Sequence, residues 1–371
     1  MRLRVAIIAL LVLFVAGFAF GNGQGESDTI MIGVAGAHSG DLASYGLPTV
    51  HAAQLVVDVY NENGGVNGRM VELVIADDQC DNAIAANAAA KLVSDGVVAV
   101  IGHICSGATN TALPIYLEED IVAVSPSATN PGLTEYGNFF RTIAPDNAQG
   151  ALQANFVLNE LGAQRIAVLH DRDDYGKGLA DYALAVLEES GAEVVLYEGI
   201  TSDAVDYSAI INRIDAEDAD VVIWGGYHSD GSKLVDQMKS RGMDIAFIGG
   251  DGIKDDEFIN VAGEASEGVY ATGPRSTEGN TLAAEYVQMH IDEYGEEPGP
   301  FFQEGVSATI ALLNAIEVAD STEPEAIMAA LRGSYVDTPV GNISFNDAGD
   351  AIGVGFAVYQ VQNQSYVEVS N

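Results

Sequence analysis

The sequence predicts an α/β protein built as two doubly wound parallel-sheet lobes joined by a hinge of chain crossings. Two observations carry that prediction. Short apolar, largely β-branched runs alternate with helix-length segments, the rhythm of successive βα units. After the run IVAVSP the rhythm closes and then restarts at Arg165, so one array is followed by another. A length of 371 residues is enough for two cores.

The chain opens with MRLR, continues through the apolar stretch Val5 to Phe20, and changes to GNGQGESD. A basic start, an apolar centre and small residues near Ala19 to Gly21 predict a secretory signal peptide over 1–21. The apolar stretch is short for a bilayer span, with an uncleaved anchor as the alternative reading. No cysteine follows it, which gives a lipid anchor no support. The mature chain is therefore expected to be exported, periplasmic and soluble.

In the first array TIMIGVAGA precedes a helix near Tyr45 to Asn61, VELVIAD one near Asn82 to Ser94, and VVAVIGHI one near Ala108 to Glu118. Runs such as Val97 to Ile101 have no polar face, as expected of strands covered on both sides. The segment FFRTIAPDNAQGA reads as the first joint, with Phe139 to Ile143 as an extended crossing. The second array contains RIAVLHD, AEVVLYEG, ADVVIWGG, DIAFIGG and GVYATG. A second crossing is expected near Thr272 to Thr277, before helices at Asn280 to Tyr294 and Gln303 to Val318, and the strand-like tail Gly353 to Val369 supplies a third. These readings divide the chain into residues 28–145 plus 275–355 for one lobe and 146–274 plus 356–371 for the other.

Fifteen basic against fifty-four acidic residues give a formal charge of −39. Such a surface repels nucleic acid and anionic membranes and reads as a solvated acidic coat. A hydrophobic content of 48% excludes a disordered chain. The two cysteines, Cys80 and Cys105, each follow an apolar strand. In an exported protein they read most simply as a disulfide joining the ends of adjacent strands. The alternative, a metal site with His103, lacks an evident fourth ligand.

Sites in such sheets lie beyond the C-terminal ends of the strands. Those ends hold no H-E-x-x-H, G-x-S-x-G or phosphate-binding glycine motif. A triad assembled from separate loops stays open. What they do hold is a set of complementary polar groups. Ser106 stands at a helix start, where free N–H groups suit an anion, although capping its own helix is the ordinary alternative. Ser127 and Thr129 in SPSATNP add hydroxyls, and Asp251 in IGGDG adds a negative charge for an ammonium. Tyr45, Tyr175 and Tyr227 sit beside glycines that leave their rings open. Each has an ordinary turn or packing role available. Together they suggest a clamp for a zwitterion.

The stretches NENGGVNGRMVELVIADDQCD, IGHICSGAT, SPSATNPGLT, RIAVLHDRDDYGKGLA, GGYHSDG and NVAGEASEG occur in this order. On them the chain, from about Ile30 onward, resembles the periplasmic leucine/isoleucine/valine-binding proteins of bacterial ABC importers, which have the type I periplasmic binding protein fold. The resemblance implies a ligand held between two lobes with three crossings. It implies that Ser106 and Thr129 take the ligand carboxylate, and that the Ser127 carbonyl with Thr129 takes the ammonium. Tyr175, Tyr227 and Asp251 would close from the second lobe, Tyr45 and Phe301 would wall the side-chain pocket, and a Cys80–Cys105 disulfide would staple the loop presenting Ser106. Two positions depart from the pattern: Asp251 stands where those binders carry Glu, and Ser127 replaces a small apolar residue. The implied function is a non-catalytic, monomeric receptor, without cofactor or metal, that captures an aliphatic and branched-chain amino acid and delivers it to an ABC permease. A sensor for amides or other small amino acids, and an exported α/β enzyme, are the rival readings.

The charge excess generates a test. Self-repulsion reaches farther at low ionic strength, so the melting temperature should rise from low to molar salt; a flat or falling curve would remove repulsion as a determinant of stability.

Overall fold

A computed structural model describes residues 29–370, so the signal peptide expected over 1–21 lies outside the described residues. The first array forms β1 (Thr29–Gly36), α1 (Ala43–Glu62), β2 (Met70–Asp77), α2 (Asn82–Asp95), β3 (Ala99–Ile101), α3 (Ser106–Glu118), β4 (Val122–Ser125) and β5 (Phe139–Arg141). Its five strands lie in the order β2-β1-β3-β4-β5 and are parallel. The second array forms α4 (Asp146–Asn159), β6 (Arg165–His170), α5 (Asp174–Ser190), β7 (Glu193–Gly199), α6 (Ser208–Ala216), β8 (Val221–Gly225), α7 (His228–Ser240), β9 (Ala246–Gly249), α8 (Asp256–Ala262) and β10 (Tyr270–Pro274). The chain then makes α9 (Thr281–Tyr294), α10 (Phe302–Ala319), α11 (Pro324–Gly333) and the hairpin β11 (Val336–Thr338) and β12 (Gly341–Ile343). It ends in β13 (Phe356–Gln362) and β14 (Ser365–Ser370), which extend the second sheet to β14-β13-β10-β9-β8-β6-β7, with β13 antiparallel to β10.

Helices cover both faces of each sheet, which is why the strand sequences carry no polar face. One face of the first sheet packs Ile30, Ile32 and Val34 against Val56 of α1 and Ile310, Leu312 and Leu313 of α10. The other packs Val100 and Ala123 against Leu92 of α2 and Leu113 and Tyr116 of α3. The second sheet likewise separates a core around Trp224, Leu234 and Phe258 from one around Val168, Ala183 and Leu187.

Three expectations need correction. Phe139 to Arg141 is not a free crossing but a short strand paired with β4; the crossing follows it. The strands preceding Cys80 and Cys105 are not neighbours, because β1 lies between β2 and β3. Helix α11 and the hairpin β11–β12 were not expected at all. The disulfide nevertheless forms, since each cysteine lies several residues past its strand and the loops bring the Cα atoms to 5.6 Å. Asp78 organises that junction: its carboxylate accepts the Cys80 N–H at 2.8 Å and pairs with His103 Nδ1 at 2.5 Å. His103 Nε2 meets the Tyr116 hydroxyl at 2.8 Å. With both sulfurs joined and both imidazole nitrogens engaged, the metal-site reading loses its ligands.

The chain passes between the sheets after β5, after β10 and before β13, and polar contacts tie these passages together. Arg141 is buried, pairs through Nε with Asp350 at 2.6 Å, and gives Nη1 to the carbonyls of Ala128 at 3.2 Å and Asn130 at 2.9 Å. Thr142 donates to the Glu304 carbonyl at 2.9 Å, and the Tyr359 hydroxyl to that of Pro274 at 2.6 Å. Arg141 thus fixes the loop that carries Ser127 and Thr129.

The cross-link closes a loop with a sequence separation of 25. In the chain-entropy account that is worth about 3 kcal/mol, so a Cys80→Ala/Cys105→Ala double variant should lose roughly that much in equilibrium denaturation, and unchanged stability would contradict it.

Candidate ligand site between the lobes

The C-terminal ends of both sheets face one another across a closed crevice. At its centre is a tightly closed cavity of about 20 Å³ lined by Tyr45, Ile104, Cys105, Ser106, Ser127, Tyr175, Tyr227, Asp251, Gly252 and Phe301. Seven of the eight residues expected at the site therefore line it, and Thr129 does not. Thr129 is fully buried, with its hydroxyl beside the Asp146 carboxylate, whose charged form it favours.

From the first lobe, Cys105 is the extended N-cap of α3 and makes no side-chain cap bond, which puts Ser106 at the first helical position. Its hydroxyl does not cap its own helix; it accepts the Asn130 N–H at 3.3 Å. The helix start thus aims unpaired N–H groups and a hydroxyl at the cavity, an arrangement that suits a carboxylate. Ser127 spends its hydroxyl on the Ile104 carbonyl at 2.9 Å, so it adds less polarity to the cavity than a free serine would. Phe301 occupies a left-handed conformation (φ 60°) just before α10, which turns it toward Tyr45, at 5.7 Å between ring centres. Phe302 goes instead into the core against His290.

From the second lobe, Asp251 follows β9 and is 2% exposed. The Tyr175 hydroxyl donates to its Oδ1 at 2.6 Å and accepts the Gly252 N–H at 2.9 Å. Glycines on both sides make this approach possible: a Cβ on Gly250 would lie 2.3 Å from the Tyr175 hydroxyl, and one on Gly252 would lie 2.8 Å from the Gly226 carbonyl oxygen. Burial pushes the Asp251 carboxyl up to about 6, against the Tyr175 hydrogen bond and the nearby Gln149 amide, which favour its charged form. Tyr227 completes the wall, 5.0 Å from Tyr175 and 6.2 Å from Tyr45 between ring centres, and packs on the small cluster of Ala85, Cys105 and Ala108.

Both rims of the crevice are joined by hydrogen bonds between lobes. On one, the Tyr45 hydroxyl donates to the Gly252 carbonyl at 2.8 Å and meets His228 Nδ1 at 2.6 Å, so the imidazole must donate there. Ser44 reaches Asp255 at 2.5 Å beside it. On the other, the Asn110 and Asn130 amides donate to the Asp174 carboxylate at 3.0 Å and the Asp174 carbonyl at 2.8 Å. Sequence reasoning did not single out His228, Asp255, Asn110 or Asp174. His228 and the Asp251 loop fall just past strands, the one signal that pointed toward them.

The chain matches the model of the periplasmic binding protein family over residues 29–365. It is 36% identical to a leucine-, isoleucine-, valine-, threonine- and alanine-binding protein of Pseudomonas aeruginosa over 93% of each chain. Identity to the Leu/Ile/Val-binding protein of Escherichia coli is 34%, over 92% of this chain and 93% of that one. Its structure resembles a leucine-binding protein from Thermotoga maritima (TM-score 0.86, 29% identity, 92% of this chain and 98% of that one). It also resembles a branched-chain amino acid transporter substrate-binding protein from Streptococcus pneumoniae in complex with isoleucine (TM-score 0.81, 28% identity, 92% and 100%). With a family match across nearly all of the described residues and a crevice built from the ends of two parallel sheets, the chain belongs to the periplasmic binding protein family.

Proposed function

We propose that the protein is an exported, monomeric receptor that captures an aliphatic, branched-chain L-amino acid between its lobes and delivers it to an ABC permease. One observation carries the reading: anion donors at the start of α3 and a buried carboxylate at Asp251 face a single small cavity whose other walls include Tyr45, Ile104, Tyr227 and Phe301. In this reading the ligand carboxylate lies at Ser106, its ammonium at Asp251 and the Ser127 carbonyl, and its side chain against Tyr45 and Phe301. Thr129 reaches the ligand from behind that wall. The names of the Pseudomonas, Escherichia and Streptococcus relatives support the ligand class and the transporter partner. A receptor fits better than a catalyst, because the wall's serine hydroxyls are paired with backbone groups and neither with an imidazole base. Closure brings both rims together, and the closed form is what the permease would recognise.

Isothermal titration with leucine, isoleucine, valine, threonine and alanine tests the reading; no binding of any of them would overturn it. For the amino acid that binds, Asp251→Ala should cost about 2–5 kcal/mol, since it strands a desolvated ammonium, and a variant within a few-fold of wild type would remove Asp251 as the partner. Below about pH 6 the ligand-free carboxyl is protonated, so affinity should fall as pH drops through that value. A second readout uses Trp224, the sole tryptophan, whose Nε1–H lies 3.4 Å from the Tyr227 carbonyl. Ligand should change its emission saturably, and Ser106→Ala should shift the midpoint to higher concentration; an unchanged midpoint would leave Ser106 outside the site.

A further inference from the structure

Helix α1 carries Tyr45, the segment from Glu296 to Phe302 carries Phe301, and these two rings stand together on the cavity wall. Away from the cavity, one polar contact joins that helix to that segment: His51 Nδ1 of α1 meets His290 Nε2 of α9 at 3.0 Å. His290 is buried and touches both ends of the segment. Its Nδ1 donates to the Glu296 carbonyl at 3.0 Å, and its ring stands edge-on to Phe302, 5.0 Å between centres. His51 stacks on Tyr294 with ring centres 3.9 Å apart. Between the anchored ends Gly299 lies directly on α1, where an added Cβ would be 2.9 Å from Pro48 Cγ and 3.3 Å from the Ser44 carbonyl oxygen.

A carbonyl only accepts, so His290 Nδ1 carries a hydrogen. In the neutral ring Nε2 is then bare, and His51 Nδ1 must donate to it. A first added proton leaves the contact intact, because it can sit on His51 Nε2. A second would have to go to His290 Nε2, where two N–H groups would face each other and the contact would break. The joined pair therefore binds one proton fewer than two separated imidazoles, each of which takes one near about pH 6.5. Below that value separation is favoured by about tenfold per pH unit. Among the described residues no further His, Cys, Asp or Glu joins the two rings to make a metal site.

We propose that the His51–His290 pair positions Phe301 for the ligand's side chain and releases it in acid. This rests on the reading of the crevice as an amino-acid site, and it adds two positioning residues that do not line the cavity. The surroundings discourage extra protons. Burial first, and then His290, lower the His51 imidazole, with Glu296 of the segment acting the other way. Tyr294 of α9 touches both rings, and burial, Glu293 and Asp58 raise its phenol, so it stays neutral. Phe302 of α10 adds no charge.

Titration calorimetry of the branched-chain amino acid that binds, at pH 8 and pH 5, compares the wild type with His51→Gln. A glutamine amide can donate to the bare His290 Nε2 and, turned over, accept from the protonated one, so it keeps the contact at either pH. Asp251 is present in both proteins, and its own pH dependence cancels in the ratio of their affinities. Wild-type affinity relative to His51→Gln should drop at least about threefold from pH 8 to pH 5. His290→Phe keeps a ring beside Phe302 but loses both hydrogen bonds; it should bind at least about threefold more weakly than the wild type at pH 8 and approach it at pH 5. A smaller drop against His51→Gln overturns the proposal, and so does a folded His290→Phe that equals the wild type at pH 8. Should His290→Phe not fold, His51→Gln alone decides. A wild type that binds no amino acid at either pH overturns the amino-acid reading and this inference together.

Discussion

Holding a carboxylate out of water between two movable bodies is the constraint on which the rest of the site depends. Asp251 is almost completely buried, and an isolated charge in that position is strongly disfavoured. The surroundings answer this in part: Tyr175 donates to it, and the glycines beside it let the phenol approach. The compensation is incomplete, as the raised carboxyl shows, and a cationic ligand completes it. Binding energy is thereby directed to the step that brings the lobes together.

The closing contacts are suited to a reversible step. They are mostly hydrogen bonds at two rims, from Tyr45 and Ser44 on one side and Asn110 and Asn130 on the other. The large apolar clusters belong to one sheet or the other, with few apolar residues across the gap. Opening therefore exposes polar groups that water can satisfy, each worth a modest net amount, and leaves both cores intact. The passages of chain, tied through Arg141 and Asp350, confine the motion.

Much of this was legible in the sequence because buried parallel strands announce themselves as unbroken apolar runs, and because ligands collect at strand ends. That rule alone found Ser106, Ser127, Tyr175, Tyr227 and Asp251. Strand order was not legible: β1 separates β2 from β3, and neighbours in a doubly wound sheet are not neighbours in the chain. Three-residue β5 offered too little pattern to distinguish a strand from a crossing. Phe301 and Phe302 could be told apart only by the left-handed backbone that turns one to the cavity and leaves the other in the core.

The first lobe draws its core from two distant stretches. Ile30, Val56 and Ile101 pack with Val306, Ile310, Leu313 and Ile327, and β1 and β3 lean on a helix that follows the whole second array. A ribosome delivers the chain from its N-terminus, so the early strands must wait for most of the polypeptide before their covering helix exists. The second array is nearly contiguous and lacks only the final hairpin. Contacts separated by more than two hundred residues are slow to form, and domains otherwise tend to mature in order of synthesis. Here the order is inverted: the lobe begun first is completed late, and for that interval the strands that will carry Ser106 and the cysteines remain open to any machinery that handles unfolded chains.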